Sequence, residues 1–281
     1  MTDKVAIVTD STCDLEIEIL REYGIRVLPL KVIYEHEEFL DRVEITPQQV
    51  YDRMPGEIPC TSLPSPAHIW EMFNGLRQEG YTHILSMHIS SGLSGTYNAV
   101  LTTAREFKDI VIEVLDSRAL SLGLGIPVLE AAKTYKETLS FEATLNKAKE
   151  SIGSMEVYFV LSTLEYLKKG GRIGYVAGTI GEIMQIKPII SINEEGKYFT
   201  FERVRGRKRS LQRLVQIAVD KIGQNKAAVA VMHGGAAEES KEIFGNIHNL
   251  ANIEDKFLGQ VGPVIGVHTG PGLIGLCIRK I

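Results

Sequence analysis

The sequence predicts an α/β protein of two domains, an N-terminal Rossmann-like domain with a mainly parallel sheet and a C-terminal α+β domain with a mixed or antiparallel sheet. In the first half, short apolar runs alternate with amphipathic segments, and short loops join them, as in parallel sheets with crossover helices. After about Ser154, hairpin-like turns separate the strands instead. We therefore expect an N-terminal α/β domain at residues 1–157 and a C-terminal α+β domain at residues 158–281, and leave open whether either is discontinuous.

A β-α-β unit is expected at the start of the chain. Residues 4–8 form an apolar run that predicts a strand, and residues 15–24 carry apolar side chains on one helical face. Asp14 or Thr12 is placed to cap that helix. Residues 25–34 then predict an extended segment that returns to the sheet.

The same alternation continues along the N-terminal half. Residues 82–89 predict a strand, and a helix is expected to begin at about Ser94. Residues 110–116 predict another strand, and residues 123–137 predict the helix after it.

The C-terminal half contains strands with a different type of connection. Residues 189–193 and 198–204 predict a hairpin, and Glu194, Glu195 and Gly196 suit its turn. Residues 157–164 and 227–235 predict two further strands.

Composition indicates an ordinary soluble globular protein. The 281 residues are 44% hydrophobic and 23% charged, and the net charge of −4 argues against general nucleic-acid binding. The chain lacks an apolar run of the roughly 20 residues that a membrane span needs, and its beginning lacks a signal-peptide pattern, so we expect a cytoplasmic protein. Cys13, Cys60 and Cys277 are odd in number and far apart, which makes a disulfide framework or a metal site unexpected.

Several polar loops follow predicted strands, where open α/β sheets bind their ligands. They comprise residues 10–12, 61–65, 90–97, 116–118 and 268–272. Hydroxyl groups before a helix also serve as caps, so Ser11, Thr12 and Ser94 have that alternative explanation. His268 alone would equally suit a structural role, although the glycines around it allow backbone amides to approach an anion.

The residue types in these loops favour a carboxylate ligand. A P-loop lysine is missing from the segment GLSGTYN, and so is the third glycine of a dinucleotide-binding loop, which argues against nucleotide binding. Hydroxyl groups, backbone amides and a histidine are donors that can offset the cost of burying a carboxylate.

Five motifs, spread over nearly the whole chain, carry a specific resemblance. They are Asp10-Ser11-Thr12, Thr61-Ser62-x-Pro64-Ser65, Ser91-x-x-Ser94-Gly95-Thr96-Tyr97, Leu164-x-x-Leu167-x-x-Gly170-Gly171-Arg172 and His268-Thr269-Gly270-Pro271-Gly272. Together they resemble the DegV family, the fatty-acid-binding proteins of bacterial fatty acid kinase (FakB type). The resemblance implies a long-chain fatty acid buried in a tunnel between two domains. It also implies an ATP-dependent fatty acid kinase as partner, which phosphorylates the bound fatty acid to an acyl phosphate for phospholipid synthesis.

On this resemblance the chain is a substrate-presenting subunit and not itself an enzyme, with neither catalytic nor metal-binding residues and with no cofactor besides the bound fatty acid. A transient contact with a membrane surface would serve acyl exchange. The implied carboxylate contacts are the side chains of Thr61, Ser62, Ser94, His268 and Thr269 and the amide of Gly95. Leu63 departs from the polar residue expected after Thr-Ser, and residues 273–280 fit the family loosely.

Apolar residues elsewhere are candidates for the wall of the acyl site, with ordinary core packing as the alternative. They are Ile126, Val128, Leu161, Ile180, Ile183, Met184 and Ile186.

A basic run at residues 203–213 allows three interpretations. Arg203, Arg205 and Arg207 alternate and would share one face of a strand. The first interpretation is a charged edge that discourages aggregation, and the second is a nucleic-acid contact. The third is a docking surface for the kinase or for phosphoryl groups. The family resemblance implies that Arg172 and Arg205 act in kinase interaction or phosphotransfer.

A serine hydrolase of acyl esters is the alternative function. Ser94, Asp116 and His268 occur in the chain order of the α/β-hydrolase triad, and residues 233–236 imitate an oxyanion loop. The nucleophile motif G-x-S-x-G is broken at Thr96, however, and the oxyanion-like segment follows Ser94 instead of preceding it. A metal enzyme is disfavoured because the histidines are scattered.

Overall fold

The computed structural model describes residues 3–179, 186–250 and 252–281. In chain order the strands are β1 (Val5–Asp10), β2 (Arg26–Leu28), β3 (Lys31–Ile33), β4 (Glu38–Leu40), β5 (Cys60–Ser62), β6 (His83–His88), β7 (Val111–Asp116), β8 (Met155–Val160), β9 (Ile189–Ile192), β10 (Tyr198–Glu202), β11 (Ala227–Gly234), β12 (Ile253–Gln260) and β13 (Leu273–Lys280). The helices are α1 (Ile17–Glu22), α2 (Pro47–Arg53), α3 (Pro66–Gln78), α4 (Thr96–Ala104), α5 (Leu122–Thr138), α6 (Phe141–Gly153), α7 (Glu165–Lys169), α8 (Arg207–Ile222), α9 (Ala237–Ile247) and α10 (Pro263–Thr269). Two 3-10 turns span Ser11–Cys13 and Gly174–Thr179. Within these residues, no helix combines the length and apolarity that a membrane crossing requires.

The strands form three sheets, which confirms the predicted α/β fold class. A parallel sheet has the order β2-β1-β6-β7, and a mixed sheet has the order β10-β9-β8-β13-β11-β12. In the mixed sheet β11 and β12 are parallel, whereas the other neighbours are antiparallel. A small antiparallel sheet has the order β4-β3-β5. Every residue of β1 is buried, as expected for a parallel strand covered on both faces.

The predicted domain boundary lies inside a strand. Val157 is in β8, whose neighbours β9 and β13 both belong to the mixed sheet. The division of the chain into residues 1–157 and 158–281 stays a prediction.

Helix α5 lies where the parallel and mixed sheets approach each other. Its N-terminal half is completely buried, and one apolar cluster joins residues of both sheets, such as Leu85 and Phe159, to this helix. A Cβ at Gly123 would lie 2.6 Å from Val157, and a Cβ at Gly125 would lie 2.3 Å from the carbonyl oxygen of Cys13. Glycine at these two positions therefore lets α5 pack against both halves of the molecule.

The first β-α-β unit differs from the prediction at its helix. Helix α1 begins at Ile17 and is capped by neither Asp14 nor Thr12. Asp14 is in the left-handed conformation, and its carboxylate accepts hydrogen bonds from Ser121 Oγ (2.6 Å) and from the amide of Gly262 (2.9 Å). The capping prediction was wrong because these long-range donors hold Asp14, while Thr12 bonds to Asp10.

The predicted extended segment at residues 25–34 is two strands in different sheets. Strand β2 pairs with β1, whereas β3 pairs with β4 and β5. Pro29 lies between them, and because proline has no amide hydrogen it cannot continue a ladder.

The hairpin predicted in the C-terminal half is confirmed. Strands β9 and β10 are antiparallel, and Gly196 has a φ of +74° in the turn. The hydroxyl group of Ser90, in the loop after β6, donates to the carbonyl of Gly196 at 2.8 Å. The hairpin therefore contacts the loop that precedes α4.

Candidate functional site

Two neighbouring cavities differ in the polarity of their walls. The first, which we call the head cavity, has Thr61, Ser94, Arg172 and His268 in its wall and a volume of about 30 Å³. The second, the tail cavity, also has a volume of about 30 Å³.

Three residues line both cavities, which are therefore adjacent: Leu120, Tyr198 and Ile265. The head cavity receives Thr61 from β5 and Ser94 from the loop before α4, whereas His268 comes from the last turn of α10. The walls thus combine residues from both halves of the chain.

Thr61 and His268 form the closest polar contact of the head cavity. Thr61 Oγ1 lies 2.7 Å from His268 Nε2. Burial, and then the positive charge of Arg172, lower the pKa of His268 to about 4, so the imidazole is neutral at neutral pH. Among the described residues, Nδ1 of His268 has no hydrogen-bond partner, and a neutral imidazole can carry its proton on Nε2. His268 then donates to Thr61, and the hydroxyl hydrogen of Thr61 is free for a ligand.

Gly170 explains part of the Gly-Gly-Arg motif. A Cβ at this position would lie 2.2 Å from Nδ1 of His268, closer than any side chain can approach. The carbonyl of Gly170 also accepts a hydrogen bond from Nη1 of Arg172 at 2.7 Å, and Nε of Arg172 donates to the carbonyl of Leu93 at 3.2 Å. This motif therefore places both the imidazole and a guanidinium in the cavity wall.

Ser94 has a supporting contact similar to that of Thr61. Its Oγ lies 2.9 Å from Oγ1 of Thr96 and accepts a hydrogen bond from the amide of Thr96 at 3.2 Å. When Thr96 donates to Ser94, the hydroxyl hydrogen of Ser94 is available to a ligand. Thr61, Ser94 and Arg172 can then surround a carboxylate with donors.

The tail cavity is built on the inner face of the mixed sheet. Phe159 of β8 pairs with Gly275 of β13, and Gly275 pairs with Met232 of β11, so the three lie side by side. Cys277 follows two residues later on the same face. The hydroxyl group of Thr269, which also lines this cavity, donates to the carbonyl of Ile265 at 2.9 Å. The cavity wall is therefore suited to an alkyl chain.

Three of the predicted carboxylate contacts lie elsewhere. Ser62 follows Thr61 in β5, so its side chain points to the opposite face, and its Oγ donates weakly to the carbonyl of Leu63 at 3.4 Å. Gly95 is exposed at the start of α4, and Thr269 lies in the tail cavity. A Cβ at Gly95 would lie 3.2 Å from Leu63, so the unexpected leucine packs against this glycine.

The arginines of the kinase prediction occupy two different environments. Arg172 lines the head cavity, whereas Arg205 is exposed and lines neither cavity. The interpretation that Arg203, Arg205 and Arg207 share one strand face was wrong. Strand β10 ends at Glu202, and Gly206, with a φ of +85°, turns the chain into α8.

Arg207 has a separate structural role. Its guanidinium binds the carboxylate of Glu239 through Nε (2.8 Å) and Nη2 (2.6 Å). Nη2 also donates to the carbonyl of Gly272 at 2.7 Å. Arg207 thus ties α9 to the loop after His268.

The proposed hydrolase residues do not form a triad. The carboxylate of Asp116 accepts from the amide and hydroxyl groups of Ser91 at 3.1 and 2.6 Å, and from the amide of Arg118 at 2.9 Å. Since His268 binds Thr61, the three residues lack the hydrogen bonds on which that mechanism depends.

A triad-like arrangement occurs instead in the parallel sheet. Ser86 Oγ lies 2.7 Å from Nε2 of His88, and Nδ1 of His88 lies 3.0 Å from Asp10. All three residues are fully buried, at 0% exposure, and line neither the head nor the tail cavity, so a substrate has no access to them.

The predicted acyl-wall residues belong mainly to the core. Ile126, Val128 and Leu161 are buried in the cluster around α5 but line neither cavity. Ile186 is half-buried and forms a β-bridge with Arg205. Three other candidates lie outside the described residues: Ile180, Ile183 and Met184.

Within residues 3–179, 186–250 and 252–281, no group of three or more His, Cys, Asp or Glu side chains is arranged to hold a metal ion. Cys13, Cys60 and Cys277 are free thiols.

Comparison with known families and curated proteins gives a match over nearly the whole chain. Residues 4–280 match the family described as "Uncharacterised protein, DegV family". A DegV domain-containing protein of Clostridium acetobutylicum is 43% identical over 99% of both chains.

Solved structures with the same fold include proteins described as binding lipid. A DegV family protein from Thermus thermophilus, described by its fatty acid binding, is 31% identical with a TM-score of 0.93, and the match covers 99% of this chain and 100% of that one. A stearic acid-binding protein from Eubacterium ventriosum is 28% identical with a TM-score of 0.89, covering 99% of this chain and 98% of that one.

Proposed function

Because the chain belongs to the DegV family, we propose that it binds one long-chain fatty acid, with the carboxylate in the head cavity and the acyl chain in the tail cavity. The observation that carries this proposal is the adjacency of two cavities, one with polar donors in its wall and one with an apolar wall, which share Leu120, Tyr198 and Ile265. The fatty acid and stearic acid bound by structural relatives support it.

The head cavity supplies what a buried carboxylate needs. Thr61 and Ser94 each have a neighbour that can satisfy the hydroxyl oxygen, so both can direct a hydrogen toward the ligand. Arg172 adds a positive charge, and a hydrogen bond to a charged group contributes roughly 1.5–3 kcal/mol. His268 stays neutral and acts as a positioning residue that orients Thr61.

The tail cavity supplies most of the binding free energy. Removal of about twelve methylene groups from water contributes about 10 kcal/mol before the costs of ordering, at ~0.8 kcal/mol for each group. A ligand held in this way is retained during gentle purification.

The finer proposal is that the protein presents the bound fatty acid to an ATP-dependent kinase in the cytoplasm. A carboxylate oxygen attacks the γ-phosphorus of ATP held by the kinase, and the bond from that phosphorus to the bridging oxygen breaks, which releases ADP. The acyl phosphate then feeds phospholipid synthesis, with a transient membrane contact for acyl exchange. Arg205, exposed outside the cavities, is proposed to act at the kinase and not on the lipid.

Reconstitution with a fatty acid kinase tests this part of the proposal. Lipid-loaded protein, kinase and ATP should yield acyl phosphate, which hydroxylamine converts to a hydroxamate that mass spectrometry detects. Omission of this protein should abolish the product. Equal product from free fatty acid and kinase alone would show that presentation is not its role.

A further inference from the structure

A third pocket lies beside the head cavity and opens at the surface. This outer pocket has a volume of about 400 Å³, and its wall includes Cys60, Lys169 and Gly170. It shares three residues with the head cavity, namely Thr61, Arg172 and His268. A head group bound at these three residues therefore adjoins both spaces.

We propose that the outer pocket is an oxyanion site that receives the phosphoryl group once it is attached to the carboxylate, with Lys169 and Arg172 as its cations. This inference rests on the proposed function, since it concerns the product of the same site. It assigns Lys169 a role in holding the phosphorylated head group while the acyl chain stays in the tail cavity.

Lys169 is able to turn toward a ligand in this pocket. Its ammonium group forms an ion pair with Glu165 at 2.6 Å on the same helix, but both side chains are about half exposed, at 51% and 53%. An exposed pair of this kind contributes little stability, so an anion of higher charge can compete with Glu165.

Arg172 also keeps hydrogen-bond donors for the ligand. Among the described residues its guanidinium donates to the carbonyls of Leu93 and Gly170 through Nε and Nη1. A guanidinium has five N–H donors, so further ones remain beside the shared wall. These two carbonyl contacts hold the arginine in place whether the ligand is a carboxylate or a phosphate.

The charge distribution favours a phosphoryl group in the outer pocket. An acyl phosphate carries three terminal oxygens and more negative charge than the fatty acid, so it needs cations beyond those that a carboxylate uses. His268 is neutral at neutral pH, because burial and Arg172 lower its pKa to about 4. Lys169 and Arg172 are the cations in the wall of the outer pocket, and lysine binds phosphate as a point charge without strict geometry.

The test compares two ligands with the same alkyl chain. One is the fatty acid, and the other is the β-ketophosphonate in which CH₂ replaces the bridging oxygen of the acyl phosphate. Both affinities are measured by calorimetry for delipidated wild type, for Lys169→Gln and for the control Lys168→Gln. Lys168 is exposed on the same helix and does not line the outer pocket.

The proposal predicts that Lys169→Gln weakens phosphonate binding about tenfold, the loss of one charge-assisted contact, and changes fatty acid binding less than twofold. Lys168→Gln should change neither, and Lys169→Arg should restore phosphonate binding. Unchanged phosphonate binding in Lys169→Gln, or equal loss of both ligands, would overturn the proposal. Wild type that binds the fatty acid but not the phosphonate overturns this inference alone, whereas wild type that binds neither overturns the proposed function.

Discussion

Thr61 Oγ1 and His268 Nε2 lie 2.7 Å apart, although 207 residues separate them in the chain. The contact joins strand β5 of the small sheet to the last turn of α10, and both residues line the head cavity. Because the imidazole is neutral, it can donate from Nε2, and the threonine can then offer its own hydrogen to a ligand. A histidine thus sets the direction of a hydroxyl group without placing a second cation beside Arg172.

Removal of the Ser94 hydroxyl group should weaken fatty acid binding. We expect Ser94→Ala to cost about 1–3 kcal/mol of binding free energy, because a buried carboxylate loses one donor. Calorimetry with delipidated protein measures the change. Ser62→Ala is the matched control and should leave affinity unchanged, since Ser62 donates only to the carbonyl of Leu63. Equal losses in the two variants would contradict the assignment of the head cavity.

The pH dependence of stability should reveal the lowered pKa of His268. A histidine with an unfolded pKa near 6.5 and a folded pKa of about 4 contributes stability above pH 6.5 and loses it progressively as pH falls to 4. The free energy of unfolding of wild type, minus that of His268→Gln, should therefore fall by about 2 kcal/mol between pH 7 and pH 5. Urea titrations at several pH values provide the difference.

The comparison with His268→Gln removes an opposing contribution of two buried carboxyl groups to the pH dependence of stability. Burial raises the pKa of Asp14 to about 7 and that of Asp41 to about 6. Protonation of these two carboxyl groups therefore raises the free energy of unfolding as the pH falls. Both are present in wild type and in the variant, and their effects cancel in the difference. A difference that stays constant between pH 7 and pH 5 would show that His268 is not buried in a neutral state.

A side chain at Gly170 should displace the imidazole. Since a Cβ there would lie 2.2 Å from Nδ1 of His268, we expect Gly170→Ala to lower the free energy of unfolding by about 1–3 kcal/mol and to weaken fatty acid binding. Gly75→Ala in α3 is the control: its Cβ would meet nothing within 4 Å, so stability should stay equal or rise. Wild-type affinity in Gly170→Ala would exclude a tight contact at this position.

The tail cavity should limit the length of the acyl chain. A Cβ at Gly275 would lie at ordinary contact distances, 3.7 to 4.0 Å, from Met232 and Phe159, so alanine fits the protein but takes space from the ligand. Gly275→Ala should shift preference toward shorter fatty acids, by about 0.8 kcal/mol for each methylene that no longer fits. A competition series of saturated fatty acids measures this shift, and an unchanged ranking would place the acyl chain elsewhere.

Arg205 should separate lipid binding from phosphotransfer. We expect Arg205→Ala to retain fatty acid with wild-type affinity, because this exposed residue lines neither cavity, and to yield less acyl phosphate with the kinase. Ser62→Ala serves again as the control with intact transfer. Full acyl phosphate formation by the lipid-loaded Arg205→Ala protein would show that Arg205 does not act in phosphotransfer.

The head of the site could be predicted because its residues lie in motifs. Thr61, Ser94 and His268 occur in short, distinctive loops, and the structure brings these loops to one cavity. Ser62 was included with Thr61 because a motif does not show which of two neighbours in a strand faces the ligand. Because side chains alternate along β5, Thr61 faces the cavity and Ser62 faces the opposite side of the strand.

The tail of the site could not be predicted in the same way. Phe159, Met232 and Cys277 are ordinary strand residues, and hydrophobic alternation does not show which face of a sheet borders a cavity. Ile126 and Val128 were selected instead, yet both pack in the core. Their position depends on how closely α5 approaches the two sheets, which is a tertiary relationship that local sequence does not contain.

The basic run at residues 203–213 also could not be predicted correctly from local sequence. The alternation of Arg203, Arg205 and Arg207 suggested a strand, but Gly206 takes a positive φ and starts α8. Arg207 then reaches Glu239 and Gly272, contacts that no local pattern indicates.

Native mass spectrometry of the gently purified protein, followed by organic extraction, tests the central claim most directly. The account predicts one long-chain fatty acid for each chain, released on extraction and rebound by delipidated wild type. Protein that is empty, and that also fails to take up added fatty acid, would contradict the assignment of the head and tail cavities to an acyl ligand.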